Sequence, residues 1–166
     1  MSSTVSAGAI DWFNGGAGGD TADFRYFSSA VWVDLSYNGY EAWTRNQSHL
    51  SSGQWQILAD LKDIEHLIGS AFDDYIGGNL SNNIMVGGAG RDVFAFDTDW
   101  GHDTIRDFES GADRIDLRGV EGLDSFQQLS ITSVGTSILR VDFQGMYIDF
   151  QGGAAASGVQ AIDFML

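Results

Sequence analysis

Residues 69–95 read Gly69–Gly77 (GSAFDDYIG), Gly78–Val86 (GNLSNNIMV) and Gly87–Ala95 (GGAGRDVFA), three nonapeptides in register. Each carries an acid or an amide at its sixth position and a large apolar residue at its eighth. These pairs are Asp74 with Ile76, Asn83 with Met85, and Asp92 with Phe94. The third copy matches the repeat pattern G-G-x-G-x-D-x-U-x, where U is a large apolar residue.

The same phase continues toward the N-terminus. Glu65 and Leu67 occupy the acidic and apolar positions one nonapeptide earlier, and the run GGAGGD covers residues 15–20. A Gly-rich turn of six residues followed by a three-residue strand is half a coil of a parallel β-roll, in which the apolar residue points inward. The sequence therefore predicts an all-β fold, a parallel β-roll or β-helix of nonapeptide repeats.

The acidic residues are unevenly chosen, with 19 aspartates against four glutamates. Aspartate is typical of turns and of oxygen-ligand metal sites, whereas a solvated helix surface would favour glutamate. Because successive turns alternate between the two sides of a roll, the turns ending in Asp74 and Asp92 should face each other. We expect them to share a calcium ion through carboxylate and main-chain carbonyl oxygens.

The composition excludes several classes of partner. The formal net charge is −15 and the chain has no cysteine, which argues against nucleic acid and anionic membranes and excludes disulfides and thiolate metal sites. The sequence contains no apolar run of about 20 residues and so does not predict membrane insertion. Its first residues do not resemble a cleaved secretory signal.

These repeats resemble the RTX, or haemolysin-type calcium-binding, repeats. Downstream, residues 103–108 (DTIRDF) and 111–117 (GADRIDL) are similar to the C-terminal module of serralysin-type secreted proteins. The resemblance implies further calcium ligands at Asp107 and Asp113. The ending DFML (163–166) looks like the uncleaved signal of type I secretion, which implies export by that machinery and an extracellular location.

Several calcium ions are expected, and about four would bring the charge from −15 to about −7. The candidate metal-binding positions are Asp20, Gly69, Ala71, Asp74, Gly78, Leu80, Asn83, Gly87, Ala89, Gly90, Asp92, Asp103, Asp107 and Asp113. Residues 78–83 depart from the pattern, because Asn83 replaces the acid and Asn79-Leu80-Ser81 replaces Gly-x-Gly. We expect that turn to bind calcium weakly or not at all.

The segment from about residue 24 to 59 follows no clear nonapeptide and is rich in aromatic residues. These residues either fill and cap the coil or bind a glycan, with Trp32, Trp43 and Tyr40 as the candidates. Residues 30–35 are predicted to form a strand. The apolar residues between 57 and 68 also fit a helix, but the nine-residue phase favours a strand from about residue 64.

We place a calcium-binding roll with this insertion at 1–105 and a β-rich cap with the secretion region at 106–166, and we expect the two to form one continuous domain. Strands are predicted over 129–134, 138–143, 147–150 and 159–166, with a hairpin turn at Gln144-Gly145.

The sequence offers little for catalysis. It has three histidines (His49, His66 and His102), to which we assign structural or surface roles, and neither an H-E-x-x-H nor a G-x-S-x-G motif. We therefore interpret the chain as the non-catalytic, calcium-folded part of a secreted protein. The alternative is a carbohydrate-binding module for an alginate-like polysaccharide, as in secreted polysaccharide-modifying enzymes. A small β-helical enzyme acting on polysaccharide is a third hypothesis.

Overall fold

The computed structural model describes residues 11–37, 39, 41–44, 56–152 and 158–166. Its regular structure is β-strand with short 3-10 turns, as the sequence predicts. The strands are β1 (Asp11–Asn14), β2 (Thr21–Asp23), β3 (Val31–Asp34), β4 (Ala42–Thr44), β5 (Gln56–Lys62), β6 (His66–Ile68), β7 (Tyr75–Gly77), β8 (Ile84–Val86), β9 (Val93–Asp97), β10 (His102–Ile105), β11 (Arg114–Gly119), β12 (Ser130–Val134), β13 (Ile138–Phe143), β14 (Met146–Gln151) and β15 (Phe164–Met165).

The strands form two sheets, and consecutive nonapeptides deliver their strands to them alternately. Sheet A has the order β1-β5-β4-β3-β7-β9-β11-β15, and sheet B has the order β12-β13-β14-β10-β8-β6-β2. The central neighbours in each sheet are parallel, as in β7 with β9 and β6 with β8. This alternation is the parallel β-roll that the repeat predicts.

The core lies between the sheets and is built from the residue at the eighth position of each repeat. Leu67 pairs in register with Met85 in sheet B, and Ile76 pairs with Phe94 in sheet A. All four side chains are at most 1% exposed. Ile105 and Ile115 extend the two rows into the next coil. Complete burial of one such side chain contributes roughly 1.5–3 kcal/mol, so the stacked rows hold the coils together.

The aromatic-rich segment enters sheet A. β3 pairs in parallel with β7. On its other edge β3 pairs antiparallel with β4, and β4 pairs antiparallel with β5. The strand predicted over 30–35 is confirmed by β3, and the strand preferred from residue 64 is confirmed by β6. Tyr40 lies outside the described residues.

The C-terminal part continues both sheets. β12, β13 and β14 form an antiparallel meander, and β14 pairs in parallel with β10. The predicted hairpin turn is confirmed, since Gln144 and Gly145 have φ of 54° and 89°, as a type I′ turn requires. The domain boundary near residue 105 remains a prediction.

The strand predicted over 159–166 is wrong in extent. Residues Ala161–Asp163 form a 3-10 turn, and only Phe164–Met165 pair with β11 as β15. The turn forms because the Asp163 carboxylate accepts the Gln160 N–H at 2.8 Å, a local bond that competes with extended structure. Among the described residues, no helix is long and apolar enough to span a membrane.

Candidate functional site

A ladder of carboxylates runs along the side of the roll where the chain enters sheet A. Asp74 Oδ1 accepts the Val31 N–H at 2.8 Å, Asp92 Oδ1 accepts the Asp74 N–H at 2.9 Å, and Asp113 Oδ1 accepts the Asp92 N–H at 3.0 Å. Each acid thus reaches back to the preceding coil. These three side chains, buried and in direct succession, are hereafter called the Asp74 ladder.

The second oxygens of the ladder turn toward their own loops. Asp74 Oδ2 accepts the Ser70 N–H at 2.5 Å, and Asp113 Oδ2 accepts the Glu109 N–H at 2.8 Å. A carboxylate that accepts two backbone donors is fixed in orientation. The sixth position of the repeat is therefore a rigid oxygen donor built into the turn.

Glycines bring turns 69–74 and 87–92 into backbone contact, as the sequence predicts for facing turns. A Cβ on Gly69 would collide with both the Gly87 carbonyl oxygen and Asp74 Oδ2. Gly88, at φ 101°, would collide with the Ser70 carbonyl oxygen. Only glycine tolerates both the conformation and this approach. Carboxylate and carbonyl oxygens consequently converge between the turns, and such oxygens are the ligands that Ca²⁺ prefers.

Asp107 joins the same pair of turns from the following coil. Its two oxygens accept the N–H groups of Gly87 at 2.9 Å and Gly88 at 2.8 Å. The structure therefore brings Asp107 together with Gly87, another candidate metal-binding position. Ala71 and Ala89 are exposed at the tips of their turns, and Gly90 packs against the backbone of Phe72 and Asp73.

A second row lies on the opposite side of the roll, where the chain enters sheet B. The Asp20 N–H donates to Glu65 Oε2 at 3.0 Å, and the Asn83 N–H donates to Asp103 Oδ1 at 2.8 Å. Asp103 is fully buried, and its Oδ2 has no hydrogen-bond partner within the described part of the chain. We call this set the Asp103 row.

Asn83 distinguishes the Asp103 row from the Asp74 ladder. Its Nδ2 donates to the Glu65 carbonyl at 2.9 Å and to Asn79 Oδ1 at 3.0 Å. The Glu65 carbonyl oxygen is therefore already engaged by a side-chain N–H, and the Asn83 amide carries no charge. Gly78 lies against Asn83 Oδ1, and the Leu80 side chain is 76% exposed. Weak calcium binding at 78–83 stays a prediction.

Burial without a counter-charge dominates the electrostatics of both rows. Burial raises the pKa of Asp92 to about 7 and that of Asp103 to about 8, and it also raises the pKa of Asp74 and Asp113. The ion pairs among the described residues are Arg25–Asp23, Arg118–Asp116 and Arg140–Asp149, and none involves these four acids.

The described residues contain no group of three or more histidine, cysteine, aspartate or glutamate side chains that could hold a metal ion. A cation on either row would therefore draw most of its ligands from main-chain carbonyls. The donor chemistry fits a hard cation, because the side chains of both rows offer carboxylate or amide oxygens, Asp103 Oδ2 is orphaned and the glycine cradle leaves no room for side chains.

Asp163 lies on the same side of the roll as the Asp74 ladder. The sequence predicted it only as part of the secretion signal. It is fully buried and accepts hydrogen bonds from Ser110 Oγ at 2.7 Å and the Gly111 N–H at 3.0 Å. The acid-then-apolar order was the available signal. The inward residue, Phe164, follows after one position instead of two, so the repeat spacing did not reveal it.

Trp32 and Trp43, two of the candidate glycan residues, lie on the outer face of sheet A. Trp32 pairs in register with Trp43 and stacks on Tyr75, with ring centroids 5.6 Å apart. Tyr37 packs edge-on against Trp32 at 5.7 Å. A glycan-binding role for these residues stays a prediction.

Comparison with known proteins gives a family and a distant structural likeness. A crystal structure of the extracellular lipase LipA from Serratia marcescens matches with a TM-score of 0.41 and 13% identity. That match covers 96% of this chain, which spans about a third (34%) of the lipase chain. No curated protein sequence matches.

The family model described as "Peptidase M10 serralysin C terminal" matches residues 9–142, most of the chain. That family is the non-catalytic C-terminal part of serralysin, and the match covers the repeats, strands β1 to β12 and most of β13. On its repeats, its two-sheet roll and this match, the chain belongs to the serralysin C-terminal family.

Proposed function

We propose that this chain is a calcium-folded, non-catalytic module of a secreted protein, carrying a type I secretion signal at its C-terminus. The observation that carries the proposal is the Asp74 ladder, in which buried carboxylates on touching turns have no basic partner among the described residues. Burial of unpaired charge is costly, so such a site calls for a cation.

The residues best suited to hold cations are Asp74, Asp92 and Asp107, together with the main-chain carbonyls of residues 69–72 and 87–90. Asp113 and Asp163 extend the same row, and Asp20 and Asp103 would serve the opposite side. Bound Ca²⁺ supplies the missing positive charge and takes six to eight oxygen ligands at each site. The ladder hydrogen bonds hold the carboxylates in place for this role.

The charge distribution links binding to folding. In the unfolded chain the acids are solvated. In a metal-free fold they would be desolvated and stacked, and this cost in free energy opposes the stabilisation from a modest core. The free energy of calcium binding then becomes free energy of folding. Extracellular calcium modules have dissociation constants of about 10⁻⁴ to 10⁻³ M. A chain with that affinity stays unfolded at cytosolic calcium levels and folds after export.

Far-UV circular dichroism with calcium and then with EGTA tests this function, together with metal analysis of the dialysed protein. We expect a coil spectrum that becomes β-sheet with calcium and reverts on chelation. The double variant Asp74→Asn/Asp92→Asn should lose the transition. Asp124→Asn, which removes one charge at an exposed position, should keep it. A β spectrum that ignores EGTA in a protein free of calcium would refute the proposal.

A further inference from the structure

A groove of about 300 Å³ crosses the outer face of sheet A, away from both rows of acids. Its floor is formed by Gly77 and Ala95, which are register neighbours on β7 and β9. A Cβ on Gly77 would lie 2.9 Å from Asp34 Cγ, and a Cβ on Gly119 would collide with Asp97 Oδ1. The groove therefore exists because Gly77 and Gly119, two of its lining residues, carry no side chain.

The rim of the groove carries acceptors and donors. Asp116 is paired with Arg118 through two hydrogen bonds of 2.8 and 2.6 Å, and Asp34 Oδ1 accepts from Ser36. Asp97 is exposed, and no hydrogen bond or ion pair engages its carboxylate in the described part of the chain. With one arginine against three aspartates, the rim has a formal charge of −2, which repels anions.

Tyr75 forms one wall and keeps its proton. Burial raises its pKa to about 12, and the negative charges of Asp116, Asp34 and Asp97 act in the same direction. The phenol is therefore a hydrogen-bond donor throughout the physiological range. Trp32 stacks on Tyr75 and extends the aromatic surface away from the groove.

A smaller recess of about 30 Å³ shares Ala95, Phe96 and Asp97 with the groove and is lined on its far side by Trp100. Trp100 is 4% exposed, and its indole N–H has no hydrogen-bond partner among the described residues. A buried donor without an acceptor is costly. A recess of this size accommodates one oxygen atom, as water or as a ligand hydroxyl.

We propose that this groove is a binding site for an uncharged, hydroxyl-rich glycan. A sugar hydroxyl both donates and accepts, so it suits a groove lined by the unengaged Asp97 carboxylate and by Tyr75, with Trp100 lining the adjoining recess. The negative rim disfavours polyanionic glycans. A basic peptide fits the rim less well, because Arg118 already pairs with Asp116 and its positive charge would repel a second cation there. Apart from Gly78 and Leu80, which line the groove and its recess, the site lies outside the candidate calcium-binding residues, and it goes beyond the proposed folding function.

Native affinity electrophoresis tests the site, using calcium-loaded protein in gels that contain laminarin, dextran, chitosan or alginate. We expect retardation by a neutral glucan, weakened about tenfold or more by Asp97→Ala, because a hydrogen bond to a charged group is lost. Trp100→Phe, which removes the N–H and keeps the ring, should weaken it as well. Asp124→Ala is the matched control, since it makes the same charge change at an exposed position outside the groove.

Four results would overturn the proposal. The first is no retardation by laminarin or dextran, and the second is retardation by alginate. The third is binding only to a cationic polymer, either chitosan or the competitor polylysine. The fourth is neutral-glucan binding that Asp97→Ala leaves unchanged. Circular dichroism in calcium checks that each variant is folded. If Trp100→Phe fails to fold, Asp97→Ala decides the outcome.

Discussion

The two sides of the roll share one backbone design and differ in their side chains. On the Asp74 ladder every rung is a carboxylate, whereas in the Asp103 row an amide, Asn83, stands between Glu65 and Asp103. Both rows keep the hydrogen bond from a backbone N–H to the acid of the next coil, at 2.8–3.0 Å. The fold therefore needs an oxygen acceptor at this position, and charge is an addition that calls for a cation.

The largest effect is expected from pH on the metal-free protein. The pKa of Asp92 rises from 3.8 to about 7 and that of Asp103 rises from 3.8 to about 8 in the folded state. For an acid whose folded pKa exceeds its unfolded value, the folded state binds more protons. The stabilisation that comes from the protonated acids is fully present below about pH 4 and is lost as pH rises through the folded pKa.

Far-UV circular dichroism of protein treated with a chelating resin should therefore show the folded fraction falling between about pH 4 and pH 8, toward the coil expected of the metal-free protein at neutral pH. Calcium should remove most of the decline. A metal-free stability that rises over this interval would contradict the uncompensated burial on both sides.

Gly88→Ala should destabilise the calcium-loaded fold by roughly 3 kcal/mol or more, because a left-handed conformation and a clash with Ser70 add together. The matched control is Gly16→Ala. Gly16 has a similar φ of 88°, but a Cβ there meets nothing within 4 Å, so only about 1–2 kcal/mol should be lost. Denaturant unfolding in calcium measures both. Equal losses would show that the contact between the ladder turns contributes little.

Asn83→Asp would convert the Asp103 row into a copy of the Asp74 ladder. At the lowest calcium concentration that folds the protein, the loss of two amide donors and the added buried charge should cost about 1–3 kcal/mol. In excess calcium, titration calorimetry should show additional binding and recovery of the lost stability. A variant that is weakened equally at both calcium concentrations would show that this turn cannot hold a cation.

The smallest effect is expected from Leu80→Ser. The side chain is 76% exposed, so the change in unfolding free energy should stay within about 0.5 kcal/mol. Ala89→Ser at the corresponding tip of turn 87–92 is the control, since Ala89 is also exposed. Thermal melts in calcium compare the two. A large loss at Leu80 would show that its side chain, and not only its backbone, matters to the turn.

The nine-residue phase was enough to predict the roll, because the residues of each repeat determine its own strand and turn. Leu67, Ile76, Met85 and Phe94 are all inward, and Asp74 and Asp92 are in adjacent coils on one side, as predicted. The C-terminal tail was harder, since Asp163 and Phe164 reach the ladder through a 3-10 turn with a shorter spacing. Local pattern has no means of revealing a position that is defined by a distant partner.

The sequence by itself determined the two alternating sheets, the inward rows and the oxygen chemistry of the turns, because glycine, aspartate and apolar residues act through short-range backbone geometry and burial. Tertiary structure alone decided that Asp103 Oδ2 is left without a partner and that Asp163 binds the turn that precedes Asp113. It also decided that Gly77 and Gly119 border one groove on sheet A and that Trp100 lines the recess beside it. These features depend on residues that lie far apart in the chain and meet only when the coils stack.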